Sequence, residues 1–164
     1  MTFEEYQKAA VSFRTDTANN EEYLTLGLIA EVGEAAGKLA KRKRDGVFDG
    51  KAYIKELGDI LWFIANLADF YDNQDNGGYY SHCLSNCLKI TCNAEGSDVQ
   101  IIKYLFCDIA DFFNGSVGLH CVVFWIACLA KKYGFTLEQV AEINIAKLRD
   151  RAARGVIKGD GDER

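Results

Sequence analysis

The sequence specifies an all-α protein, and three observations carry that reading. The chain of 164 residues contains no proline. It is rich in Ala, Leu, Glu, Lys and Ile, and 49% of it is hydrophobic, the composition of helices packed around a buried core. Three Ser or Thr residues are followed three places on by Glu or Gln: Thr2 with Glu5, Ser97 with Gln100 and Thr136 with Gln139. That is the pattern of a reciprocal helix N-terminal cap. The length fits one domain, residues 1–164, with a sizeable core.

Taken in order, Thr2 and Glu5 open a first helix that the pattern carries to Arg14. Residues 15–20 are polar and loop-like, and Asn19 or Asn20 caps the next helix. That helix runs from Glu21 to Arg44, and Asp45-Gly46 ends it. Asp49 starts a third helix, from Lys51 to Tyr71. Residues 72–78, rich in Asp, Asn and Gly, read as a break. Tyr79 to Asn93 reads as helix, broken again by Ala94-Glu-Gly. Ser97 then opens a helix to Phe113, ended by Asn114-Gly115. Ser116 to Tyr133 is an apolar helix ended by Gly134, and Thr136 opens the last helix, to Ala153. The Gly-rich tail from Arg154 is not expected to be helical. Asp59–Ala68 and Cys121–Ala130 resemble each other faintly, as two buried helices readily do.

The net charge of −5 argues against bulk attraction to nucleic acid or to an anionic membrane. Positive charge is concentrated locally, from Lys38 to Arg44 and from Lys147 to Lys158. The acidic N-terminus does not read as a secretion signal, and the run Leu119 to Ala130 is too short to span a bilayer, so the cytoplasm is the expected compartment. In that setting the six cysteines read as buried thiols. His82 with Cys83, Cys87 and Cys92 matches no standard zinc spacing, and His120 reads as a core or packing residue.

The chemistry is carried by two carboxylate pairs, Glu31-Val-Gly-Glu34 and Glu56-Leu-Gly-Asp59. Spacing of i, i+3 sets both acids of a pair on one helix face. Either pair alone would be an ordinary solvated face. Both, however, sit in apolar surroundings, next to Leu26–Ala30 and Ile60–Ile64. If the two helices lie side by side, four acids converge, and a divalent cation with a preference for hard oxygen ligands, Mg²⁺ or Mn²⁺, offsets their repulsion. Gly33 and Gly58, each just before a second acid, suggest close helix approach. On the first helix Gly27, Glu31, Glu34, Lys38 and Lys41 or Arg42 share a stripe; on the second, Glu56, Asp59, Phe63, Asn66 and Phe70 do. That is a metal site flanked by groups for phosphate and base, although Phe63 also suits core packing and Asn66 a buried hydrogen bond between helices. A di-iron bundle would want Glu-x-x-His pairs, and neither His82 nor His120 follows a Glu by three residues.

Glu-x-x-Glu, 21 residues, then Glu-x-x-Asp resembles the signature of the all-α nucleoside triphosphate pyrophosphohydrolases, and specifically their MazG-like branch. Segments 26–36, 55–68, 132–138 and 144–151 are similar to family segments in the same order, and the ending 154–164 is similar to the tail of phage and bacterial members. The resemblance implies a helical bundle of that type. It implies Mg²⁺-dependent hydrolysis of ribo- or deoxynucleoside triphosphates to monophosphate and pyrophosphate, adjusting the nucleotide pool. Glu31, Glu34, Glu56 and Asp59 would hold the metal, with Glu34 or Glu31 accepting a proton from the attacking water. Lys147 and Arg151 would steady the phosphates, residues that without the resemblance read as an exposed basic face. Lys38, Phe63, Asn66 and Asn144 would complete the substrate contacts. Family members commonly form homodimers. A relative that binds nucleotides as a regulator, with catalysis weakened, is the alternative. The chain departs from the compact family pattern between about residues 69 and 129, where two or three extra helices are expected.

Overall fold

A computed structural model describes residues 1–75, 77–92 and 96–156. Among these the structure is all-helical, with α1 (Phe3–Ser12), α2 (Glu21–Asp45), α3 (Gly50–Asp75), α4 (Tyr79–Leu84), α5 (Asp98–Phe113), α6 (Leu119–Lys132) and α7 (Leu137–Ala153). Short 3-10 turns at Asp16–Ala18 and Cys87–Lys89 join them.

The helices gather around α3, which touches α1, α2, α4, α6 and α7. Its sequence explains the central position. Tyr53, Ile54, Leu57, Ile60, Leu61, Ile64, Ala65, Leu67 and Ala68 are all fully buried, so the helix is apolar on more than one face and needs neighbours on several sides. Helix α2 buries one stripe, Leu24, Leu28, Val32, Ala35 and Leu39. Helices α5 and α6 pack on each other, and α6 also lies on α3 and α7. The region expected to hold extra helices therefore contributes α4, α5 and most of α6 to one continuous core running from Phe3 to Ile145.

The helix starts follow the cap chemistry. Thr2/Glu5 and Thr136/Gln139 form reciprocal caps, and Asn20 accepts from the Tyr23 amide. At Ser97 one half of the box is present, its hydroxyl accepting from the Gln100 amide. The Asp49 carboxylate accepts from the amides of Lys51 and Ala52 at the head of α3. Gly46 and Gly134, with φ of 72° and 83°, take the left-handed conformation just beyond α2 and α6.

Several boundaries differ from the sequence expectation. Helix α1 ends at Ser12, and Arg14 instead bonds the Asn66 carbonyl and Asp69 of α3. Helix α3 runs on to Asp75 because Asp72 serves the next element: its carboxylate accepts from the amides of Tyr80 and Ser81 and from the Ser81 hydroxyl. The helix expected over 79–93 stops at Leu84, where polar Ser85 and Asn86 intervene, and the chain turns to bury Cys87, Leu88 and Cys92. Helix α6 begins at Leu119, not Ser116, with Gly118 extended before it. The expected break at Ala94-Glu and the family-like tail beyond Val156 lie outside the described residues.

All six cysteines are free thiols. Cys87, Cys92 and Cys128 are buried as expected, whereas Cys83 and Cys107 are exposed. His120 is exposed, contrary to the core reading; it folds back over Gly118, whose lack of a side chain leaves it room. No helix among the described residues is long and apolar enough to cross a membrane.

Candidate metal centre

Three of the four acids converge. Glu31 on α2 and Glu56 and Asp59 on α3 each offer a carboxylate oxygen within 4.8 Å of the others. His82, Cys83, Cys87 and Cys92, whose spacing matches no standard zinc pattern, form no such group among the described residues. The fourth acid, Glu34, is exposed and stands outside the triad, although its charge reaches Glu31. Three residues on from Glu31 is about 300° of helix rotation, short of a full turn, and there Glu34 is exposed, so four ligands reduce to three plus a neighbour.

Burial and charge set the triad under electrostatic tension. Glu56 is only 2% exposed, and Glu31 and Asp59 are half-buried. Burial first, and then the negative charges of Asp59, Glu34 and Glu56, push the Glu31 carboxyl up to about 8, while Lys147 pulls it back. Two lysines supply part of the missing positive charge. Lys38, two turns along α2 from Glu31, pairs with Glu56 at 2.9 Å, and Lys147 of α7 pairs with Asp59. Three carboxylate oxygens at this separation are a set of hard ligands that could hold a divalent cation.

Asp59 is held from behind. Asn144 donates to its carboxylate at 3.0 Å and accepts from the Tyr6 hydroxyl at 2.9 Å, so α1, α3 and α7 meet in one buried chain of hydrogen bonds. Gly58 makes this possible: a Cβ there would lie 2.9 Å from the Asn144 Cβ. The expected close approach at Gly58 is therefore between α3 and α7. At Gly33 nothing among the described residues lies within 4 Å of a would-be Cβ, so the expected close approach is not found there. At Gly27, one turn before Glu31, α3 crowds α2: a Cβ there would sit 2.1 Å from the Phe63 ring.

The remaining predicted residues divide. Phe63 is 7% exposed, seated on Gly27 and flanked by the rings of Tyr23 and Trp62 at 5.8 and 4.9 Å. Asn144 is fully buried, with its amide nitrogen on Asp59. Asn66 is also fully buried; its amide nitrogen donates to the Trp62 carbonyl of its own helix, and its side-chain oxygen has no hydrogen-bond partner among the described residues. Arg151, one turn beyond Lys147, is half-buried and forms no ion pair among the described residues. Arg42 turns away, bonding Tyr133 and Asp98 and lying over the Phe48 ring at 4.9 Å. Tyr6 is the residue that the sequence reading misses. An aromatic at a buried helical position carries no sign that its hydroxyl reaches a distant asparagine.

The chain is similar to the Gene 37 protein of Mycobacterium phage L5, 39% identical over 62 residues, which cover 35% of this chain and 54% of that one. The chain thus spans about half the length of this relative. No family model matches, and no solved structure matches.

Proposed function

We propose that this protein is a Mg²⁺-dependent nucleoside triphosphate pyrophosphohydrolase, with Mn²⁺ as a substitute, which controls the nucleotide pool in the cytoplasm by releasing monophosphate and pyrophosphate. The observation that carries the reading is the triad of Glu31, Glu56 and Asp59 within 4.8 Å, with Lys38 and Lys147 against it. When bound, the metal supplies charge neutralisation for the phosphates and a water of lowered pKa.

The chain's own groups account for the rest. Burial first, and then the neighbouring acids, drive Glu31 toward protonation, and a bound cation would favour its charged form. Glu34 stands beside the triad, exposed, and suits the acceptor of a proton from water. Lys147 exchanges Asp59 for a phosphate oxygen, and Arg151 one turn on adds a bidentate donor. Lys38 does the same from the Glu56 side. Asn144 and Tyr6 hold Asp59 in its rotamer. Phe63 backs the surface on which a base rests, with Tyr23 beside it.

Product analysis with a panel of ribo- and deoxynucleoside triphosphates and Mg²⁺, resolved by phosphorus NMR, tests the reading. Monophosphate and pyrophosphate are expected. Orthophosphate release would mean a different cleavage. Binding without turnover would leave the nucleotide-binding regulator in its place.

A further inference from the structure

Helices α5 and α6 build a cavity that shares no residue with the carboxylate site. Its volume is about 410 Å³, and Ile90, Asp108, His120, Cys121, Phe124 and Trp125 line it. That is room for a small organic molecule. The wall is almost wholly apolar, yet a carboxylate stands in it.

The sequence holds that wall in place. Tyr104 and Asp108 stand one turn apart on α5, and both grip Trp125 of α6. The Tyr104 ring stacks on the indole at 4.9 Å, and the indole N–H donates to the Asp108 carboxylate at 2.7 Å. Phe124 sets its ring across the indole at 5.0 Å and is 36% exposed, open to an incoming group. A carboxylate and aromatic rings fixed in this way lose little freedom when they receive a ligand.

The unspent chemistry is that of Asp108. It is half-buried, and the neutral indole is its side-chain partner; it forms no ion pair among the described residues. A carboxylate accepts several hydrogen bonds, so most of its capacity is unused. Among the described residues no lysine or arginine lines the cavity. An anion such as a phosphate is repelled there, and a neutral apolar molecule would cover the carboxylate without compensation. A cation meets the carboxylate with opposite charge and is also attracted by the aromatic rings.

We propose that this cavity binds a small organic cation, a primary ammonium or guanidinium group carried on an apolar body. The charged head donates to Asp108 while the body lies on Phe124 and Trp125. The proposal does not depend on the catalytic reading.

Three probes with one body test it: phenethylammonium, phenethylguanidinium and the uncharged phenethyl alcohol. The chain has two tryptophans, so ¹⁵N-labelled protein gives two indole N–H resonances, assigned with Trp125→Phe. Trp62, bonded to the Ala10 carbonyl and packed on Phe63, reports on the carboxylate region instead. The cations are expected to shift the Trp125 resonance saturably, with a dissociation constant at least about tenfold below that of the alcohol. The tighter of the two cations identifies the head group. Asp108→Asn keeps an acceptor for the indole and removes the charge. With circular dichroism unchanged, it should weaken the cations about tenfold and leave the alcohol within about twofold. An alcohol that binds as tightly as the cations overturns the proposal. So does cation affinity indifferent to Asp108→Asn, or cations that leave Trp125 unmoved, whether or not they shift Trp62.

Discussion

The carboxylate region of α2, α3 and α7 and the cysteine-bearing region of α4 to α6 belong to one core, yet they handle polarity in opposite ways. The first buries charge: Glu56 is 2% exposed, and Asn66 and Asn144 are fully enclosed. The second keeps its charge at the rim, as where Asp108 accepts from the Trp125 indole at 2.7 Å, and it leaves apolar rings such as Tyr104 and Phe106 partly in water. Burying carboxylates close together works against stability unless the site does something with them. A thiol at Cys128 costs nothing comparable, because it packs as a small apolar group. The contrast sets buried charge in the first region against buried apolar groups in the second.

Removing charge from the first region breaks the contrast most directly. Glu56→Gln is expected to lower turnover by about a thousandfold or more while circular dichroism stays that of wild type. Full activity in that variant would falsify the metal centre. Asn144→Ala removes both the donor to Asp59 and the acceptor for Tyr6, leaving buried groups unpaired. It should cost about 1–3 kcal/mol in urea unfolding and lower kcat as well. Gly27→Ala drives a methyl into the Phe63 ring and is expected to cost about 1–3 kcal/mol, although alanine is the better helix former.

The pH dependence sharpens the same comparison. A carboxyl whose pKa rises on folding keeps a proton that the unfolded chain gives up. Its contribution is fully present below the unfolded value of 4.5 and is lost as pH rises to about 8, the value reached by Glu31. Metal-free protein should therefore melt at progressively lower temperature from pH 5 to pH 8. Glu31→Gln or added Mg²⁺ should flatten the slope; an equally steep slope in Glu31→Gln would assign it to other groups. The smallest effect belongs to the second region. Cys83→Ser, at an exposed thiol, should shift stability by less than about 0.5 kcal/mol, and chelators should leave the fold of α4 to α6 intact. Loss of that fold on chelation would revive the zinc reading of His82, Cys83, Cys87 and Cys92.

Local chemistry made the helices legible. Thr2, Asn20, Asp49, Ser97 and Thr136 cap the helices that their side chains announce, because capping needs only neighbours in sequence. Asp72 misled for the same reason, since a carboxylate in a polar run carries no mark of which helix it will cap. The two i, i+3 acid pairs were likewise visible, and their spacing alone sets each pair on a helix face.

The sequence by itself determined an all-α chain with its acids on two long helices. The tertiary structure decided which acids meet. Glu31 joins Glu56 and Asp59 while Glu34 stays exposed, and which acid of a helix meets another helix is a property of packed surfaces, not of either helix alone. The same packing decided that Gly27 receives Phe63, that Gly58 admits Asn144, and that a Cβ at Gly33 would meet nothing within 4 Å among the described residues. Contacts between residues far apart in sequence are fixed only when the core closes, so the partners of Asp59, from Tyr6 through Asn144 to Lys147, exist in the fold alone.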